Sequence, residues 1–438
     1  MASAPLPHPS HPRDPAWWCL IIPLVFGVAV AWRLSLPSHP YFDEVHYVPA
    51  ARELLAWWQT GQGGWLNPEH PPLGKYLIAL GMAVLGDDAI GWRIMPLIAG
   101  IVAVGAAMRA MWHASLNRFA VMAFGVLLSS GFPLFVHARI AMLDIFMAAF
   151  LLIAAWQFAA ACRQPETGRW RLALTGVMLG LAIASKWNAA PLAMLPGLGF
   201  LVARAMAGRR RLLLSRRGAP VPGITLVEAF GWLGLVPLAV YALTFLPAYQ
   251  MGNLLRPSLV TAHGLIGAQI EMLRLQASVV TPHTYMSTWP QWVLNTRGIW
   301  YLYEFADGAQ RGVMLIGNPL TMLAGLPALL WCGYRGLTRR HAAMLACVIG
   351  YAVSLGLWVI APKPVQFYYH YLMPSTFLLG ALALALADLR AIPRIGWLAW
   401  SVPAASLALF AVFLPVLSAA PLDGPMSFAA WTWLESWR

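Results

Sequence analysis

Long apolar runs separated by short polar breaks dominate the chain. Eleven of them are long enough to be read as membrane-spanning helices: 16–35, 90–111, 119–137, 140–161, 171–187, 189–205, 224–247, 311–333, 341–361, 367–387 and 395–418. Two longer segments, 36–89 and 248–310, lack this pattern and read as large loops. The pattern therefore predicts an all-α polytopic membrane protein. A Pro- and His-rich tail over 1–15 is expected to be disordered. One transmembrane module fills 16–418, and a short tail follows over 419–438. The first run, Ala16–Trp32, is uncharged, exceeds a signal-peptide core and is followed by no small-residue cleavage site. It is expected to stay as the first span.

Composition agrees. Of 438 residues, 60% are hydrophobic and only 10% charged, against roughly 25% charged in soluble domains. That excludes a soluble enzyme, a disordered chain and a disulfide scaffold. Cys19, Cys162, Cys332 and Cys347 are scattered, with no CxxC pair. No Walker loop, GxSxG or HExxH is present.

The net charge of +13 comes from 29 Lys+Arg against 16 Asp+Glu. With the N-terminus inside, the inner segments hold 17 of those 29 cations, all arginine, and six fall between Arg204 and Arg217. The basic balance is therefore a topology signal and an anchor to anionic lipid rather than a nucleic-acid footprint. An odd number of spans puts the C-terminus outside. The three lysines, Lys75, Lys186 and Lys363, all fall on the outer side. So do most of the acids, which lie in loops 36–89 and 248–310. Any chemistry is expected to face outward.

Several outer motifs could carry chemistry. Asp43 and Glu44 follow directly on the first span in His39-Pro40-Tyr41-Phe42-Asp43-Glu44-Val45-His46-Tyr47. Adjacent carboxylates repel, so one can have a raised pKa and act as a general base; on the local sequence alone the pair reads more readily as a solvated, acidic loop start with Asp43 as a helix N-cap. Glu69-His70-Pro71-Pro72-Leu73-Gly74-Lys75 presents His70 and Lys75 on a proline-stiffened turn, suited to a lipid phosphate or a sugar hydroxyl, and reads equally as a structural turn with Lys75 reaching to the headgroups. Arg139 and Asp144 open the fourth span. Charges there cost ~2.5–3.5 kcal/mol each on insertion scales, so each needs a partner or a role. Lys186 sits in the Ser185-Lys186-Trp187-Asn188 junction, and Lys363 and His370 lie at the outer end of the tenth span. Tyr285 and Trp289 belong to an aromatic cluster that can stack on sugar rings or mark an interfacial helix.

Taken together, these segments resemble the protein O-mannosyltransferase family of the GT-C glycosyltransferase fold. His70-Pro71-Pro72-Leu73-Gly74-Lys75 is similar to the family's H-P-P-L-G-K run. Asp43-Glu44 resembles its acidic motif, Arg139 with Leu143-Asp144 its R-x-x-x-L-D helix, and Ser185-Lys186-Trp187 its lysine junction. Ser287-Thr288-Trp289-Pro290, Gly317-Asn318-Pro319 and His370-Tyr371-Leu372 resemble later motifs. Loop 248–310 leaves no room for the β-trefoil domain of eukaryotic members, so the resemblance is to a bacterial-type member. Related aminoarabinose and glycan-lipid transferases share the acidic motif.

The resemblance implies an inverting transfer of mannose, or a similar hexose, from a polyprenyl-phosphate donor. The acceptor would be a Ser or Thr hydroxyl of an exported protein, and the site would face the periplasm from the inner membrane. Asp43 would be the base, with Glu44 orienting acceptor or sugar. Arg139 is the first choice for the leaving phosphate, followed by Lys186 and Lys363. Asp144, His70, Lys75 and His370 would support donor binding. Tyr47, Tyr285 and Trp289 would form a platform for sugar or acceptor. Neither metal nor cofactor is expected beyond the lipid-linked sugar itself. Two competing readings are transfer to a lipid or glycan acceptor, and transport of a lipid-linked sugar. A transporter would need polar groups along a path through the bilayer, and here they gather at the outer ends.

Overall fold

A computed structural model describes residues 13–207, 212–253, 256–361 and 363–438. Residues 1–12 of the expected tail and Arg209, Arg210 and Arg211 of the inner arginine run lie outside them. The helices in order are α1 (Trp18–Ala31), α2 (Glu44–Thr60), α3 (Leu73–Leu85), α4 (Ala89–Ser115), α5 (Arg118–Ser130) and α6 (Pro133–His137). Next come α7 (Asp144–Arg163), α8 (Gly168–Ser185), α9 (Ala190–Met206), α10 (Leu226–Phe230), α11 (Val236–Leu243), α12 (Leu259–Ala277) and α13 (Trp289–Val293). The last four are α14 (Pro319–Thr338), α15 (Ala342–Ile360), α16 (Leu372–Arg390) and α17 (Ser401–Leu417). Among the described residues, seven helices are long and apolar enough to cross a membrane. The protein is a multi-pass membrane protein.

Each expected span contains a helix, but three boundaries move for identifiable reasons. The third expected span breaks at Phe132, whose φ is 76°, because Pro133 cannot extend the helix and disfavours helical backbone before it. The fourth begins at Asp144, not 140, because Ala138–Leu143 forms a buried, non-helical connection. The eighth begins at Pro319, where the Asn318 side chain caps Leu320 N at 3.2 Å.

The expected loops are also more ordered than the apolar pattern shows. Segment 36–89 carries α2 and α3, and 248–310 carries α12 and α13. The all-α expectation is corrected by two antiparallel hairpins: β1 (Gly252–Asn253) with β2 (Arg256–Pro257), and β3 (Ile299–Ala306) with β4 (Ala309–Leu315). The β3–β4 turn is Asp307-Gly308, both at positive φ (48° and 75°), as a two-residue hairpin turn of mirror-image type demands. The polar alternation of a surface strand is missing because both strands are largely buried.

The most enclosed helices are α16, α7 and α4, with 78%, 61% and 56% of their most apolar stretches buried. Those of α9, α15 and α17 are only 28% buried, which leaves apolar faces for lipid. Small residues permit close approach. A Cβ on Gly176 of α8 would sit 2.0 Å from Trp232 O, between α10 and α11.

Candidate active site

The site forms where the start of α2, the N-terminus of α7, the α8–α9 junction and the segment before α16 meet. Its frame is a buried ion pair. Arg93 of α4 donates to Glu44 Oε1 (2.8 Å) and Oε2 (2.7 Å), with both side chains fully buried. The same guanidinium donates to the carbonyls of Leu34 (3.0 Å), Pro37 (2.7 Å) and His39 (3.2 Å). Glu44 also accepts from Tyr41 N (3.2 Å) and Ala141 N (2.9 Å). This corrects the expected role of Glu44: with its oxygens taken by the chain, it orients neither sugar nor acceptor.

Arg139 is corrected in the same way. It is 4% exposed, and its guanidinium donates to the carbonyls of Val30, Trp32 (2.7 Å), Arg33 (2.9 Å) and Ser418 (3.2 Å). It ties the C-terminal end of α1 to the end of α17, and both of its terminal nitrogens are taken by main-chain carbonyls rather than left open to a phosphate. Lys75 is likewise engaged: its ammonium donates to Asn67 O (2.5 Å) and His70 O (3.1 Å), shaping the turn that holds His70.

The groups left for chemistry are neighbours. Asp43 precedes α2, half-buried, and among the described residues its carboxylate has no hydrogen-bond partner. Burial raises its pKa to about 6, assisted by the charge of Asp144 and opposed by Lys186, His46 and Lys363. Phe42, at φ 48°, turns the chain so that its ring stacks on Tyr301 of β3, with centroids 4.0 Å apart. The hairpin is bonded to this loop at two further points, Ser38 Oγ to Asp307 (2.5 Å) and His39 to Glu304 (2.7 Å).

Asp144, at the positive end of α7, pairs with Lys186 at 2.7 Å. The Lys186 ammonium also lies 4.9 Å over the Tyr369 ring, which meets Phe42 edge-on at 6.1 Å. Lys363 has no ion-pair partner among the described residues, and it feels the charges of Asp43 and Asp144. Tyr47 is buried and meets the His70 ring edge-on at 6.0 Å. Burial, followed by Lys186, Lys75 and Lys363, holds His70 well below its usual pKa, so it is neutral. His370 is 3% exposed and stacked on Trp358 at 3.6 Å, with both ring nitrogens unbonded.

A cavity of about 10 Å³ beside His370 is lined by Asp144, Asn188 and Tyr369, which is room for about one water. Tyr285 is half-buried and Trp289 38% exposed, and no ring contact joins either to Asp43, Asp144 or Lys186 among the described residues. Among the described residues, no group of three or more His, Cys, Asp or Glu is placed to hold a metal ion.

Two relevant features escape the sequence reading. Arg93 lies inside an expected span, where the same cost argument used for Arg139 singles it out. The hairpin that brings Tyr301 to Phe42 is signalled by Asp307-Gly308 between apolar runs.

An intramembrane helical bundle with acids and lysines at one end, capped by ordered loops, has the architecture of the GT-C membrane glycosyltransferases. The structure superposes on the Saccharomyces cerevisiae protein O-mannosyltransferase Pmt1–Pmt2 complex bound to the sugar donor with a TM-score of 0.79. That match has 14% identity and covers 96% of this chain and 92% of that one. ArnT from Cupriavidus metallidurans bound to undecaprenyl phosphate matches at 0.59, with 12% identity over 92% of this chain and 77% of that one.

Residues 69–229 match the family described as dolichyl-phosphate-mannose-protein mannosyltransferase, and residues 262–437 match the C-terminal four-transmembrane region of protein O-mannosyltransferase. The polyprenol-phosphate-mannose–protein mannosyltransferase of Mycobacterium tuberculosis is 28% identical over 91% of this chain and 87% of its own length. That of Mycolicibacterium smegmatis strain MKD8 is 26% identical over 96% and 93%. The chain belongs to the protein O-mannosyltransferase family.

Proposed function

We propose that the protein transfers mannose from a polyprenyl-phosphate donor to Ser or Thr hydroxyls of exported proteins, with inversion, at the outer face of the inner membrane. The relatives' names support the donor and the protein acceptor. One observation carries the chemistry: the Asp43 carboxylate is unbonded and feels the charges of Lys186 and Lys363, and the ring of its neighbour Phe42 meets Tyr369, over which Lys186 lies.

Asp43 takes the proton of the acceptor hydroxyl as that oxygen bonds to the anomeric carbon. The bond from that carbon to the phosphate oxygen breaks, and its electron pair leaves with the lipid phosphate. Lys363, which has no carboxylate of its own, stabilises the departing charge. Lys186 is held by Asp144 and contributes a second, partly neutralised cation. His70 and Tyr47 flank the sugar.

The prenyl chain has a fitting host. A chamber of about 510 Å³ with an almost wholly apolar lining lies between α4, α7, α9, α15 and α16, and Met373 lines both it and the small polar cavity. In this reading the eleven helices cross the membrane with the N-terminus inside, so that the site faces the periplasm.

The test is transfer by purified protein from labelled polyprenyl-phosphate mannose to a periplasmic protein extract. Label should enter protein with the wild type. With Asp43→Asn it should fall by ~10²–10⁴-fold, the usual worth of a general base. Label in lipid instead of protein would refute the acceptor, and an undiminished Asp43→Asn would refute the base.

A further inference from the structure

Three buried polar atoms near Asp43 have no hydrogen-bond partner in the protein and serve no step of the transfer above. Tyr301, on β3, is 4% exposed, and its hydroxyl bonds to nothing in the chain. His137, at the end of α6, is fully buried. Its Nδ1 lies 2.7 Å from Pro133 O, so Nδ1 carries the proton and Nε2 is an acceptor, unbonded. Asp144 gives Oδ2 to Lys186 and leaves Oδ1 unbonded.

These groups share one neighbourhood. The rings of Tyr301 and His137 meet edge to face with centroids 6.4 Å apart, yet their free atoms do not bond each other. Tyr301 stacks on Phe42, the residue before the base. Burial raises the pKa of the Tyr301 hydroxyl, and the charges of Asp144 and Asp43 raise it further.

Leaving buried polar groups unpaired costs ~1–3 kcal/mol each. A hydroxyl that donates and accepts at once answers two of the three: it accepts from Tyr301 O–H and donates its one proton to His137 Nε2 or to Asp144 Oδ1. A pyranose offers several such hydroxyls on one rigid ring.

We propose that Tyr301 is a sugar-recognition residue, whose hydroxyl, with His137 Nε2 beside it, pairs with one particular hydroxyl of the transferred hexose. This rests on the glycosyl-transfer reading. It adds specificity to it, because a site built around a substrate hydroxyl rejects a sugar that lacks it or carries it in the opposite configuration. The hairpin thereby joins the site, although it belongs to no transmembrane helix. Its tip is tied to the base-bearing loop, and its first strand is tied to the C-terminal tail through Trp300 Nε1 and Trp437 O at 3.1 Å.

The experiment pairs Tyr301→Phe with a set of polyprenyl-phosphate donors carrying mannose or its 2-, 3-, 4- or 6-deoxy derivative. Phenylalanine keeps the stack on Phe42, so thermal unfolding in detergent should match the wild type. With the mannosyl donor, kcat/KM should fall roughly 10–100-fold, the worth of one buried hydrogen bond to substrate. With a single deoxy donor the two proteins should be equal, because the partner of the lost hydroxyl is already missing.

An equal loss with every donor would make Tyr301 a positioning residue for Asp43 and overturn the proposal. So would a variant as active as the wild type on mannose, which would mean that the hydroxyl faces only water. A wild type inert with every donor would overturn the transfer reading and this inference with it. That result differs from the other two, in which the wild type remains active.

Discussion

At the scale of the residue, two adjacent carboxylates have opposite fates. Glu44 turns inward and is consumed by Arg93 and two backbone amides, while Asp43 stays half-buried and keeps its oxygens free. With a pKa of about 6, Asp43 is mostly ionised at pH 7 and ready to accept a proton. Transfer should therefore lose about tenfold per pH unit below 6, the acid limb being set by the fraction of ionised base. Lys363 lowers that pKa, so Lys363→Gln should move the limb to higher pH as well as weaken donor binding. A pH profile of kcat/KM for both proteins checks this, and a limb that stays in place would separate Lys363 from Asp43. The folding consequence has the opposite sign. A raised carboxylate pKa stabilises the folded state below the usual carboxylate range and loses that contribution as pH rises through about 6. Asp43→Asn should therefore unfold no earlier than the wild type at pH 8.

At the scale of the element, the connection Ala138–Leu143 decides which charges are structural. Because it is not helical, its backbone amides and those of the α1 end need partners, and charged side chains supply them. Arg139 serves four carbonyls and Glu44 serves Ala141 N. Glu44→Gln should destabilise the protein by about 3–5 kcal/mol, since Arg93 then lies buried without its counter-charge. Arg139→Ala should also lower the unfolding temperature, and Arg139→Lys should restore little of it because a point charge cannot span several carbonyls. Thermal unfolding in detergent measures both. An Arg139→Ala protein that is as stable as the wild type but fails to bind donor would return Arg139 to the phosphate.

At the scale of the molecule, the tail and hairpin close the end of the bundle that carries the loop of Asp43. Arg297 donates to Ser436 O at 2.9 Å, Trp437 Nε1 donates to Asn295 O at 2.9 Å, and Gln310 bridges to Leu422. This assembly and the proposed site share one side, opposite the arginine-rich connection between α9 and α10. A cysteine at Ser436 should therefore react with a membrane-impermeant thiol reagent on intact spheroplasts, and one at Arg216 should not, each tested after replacing the four native cysteines. The reverse pattern would move Asp43 to the cytoplasmic side and remove the basis for a lipid-linked donor.

What the chain determines by itself is what depends on local pattern. Apolar runs locate the helices because each must bury its backbone polarity within one segment. The rarity of charge marks Asp43, Asp144, Lys186 and Lys363, which the fold does bring together. Pattern also contains signals left unread, such as Asp307-Gly308 for the hairpin and Arg93 within a span. Tertiary structure alone decided which of the marked charges remain free. Arg139, Glu44 and Lys75 look no different in sequence from Lys363 and Asp43. The partners of Arg139 and Glu44 lie mostly on distant segments, up to 279 positions away for Arg139 and Ser418, while Lys75 bonds within its own turn. A buried charge satisfies whatever backbone or counter-charge the packing places within about 3 Å. No periodicity records that choice, because it is made between elements and not along one.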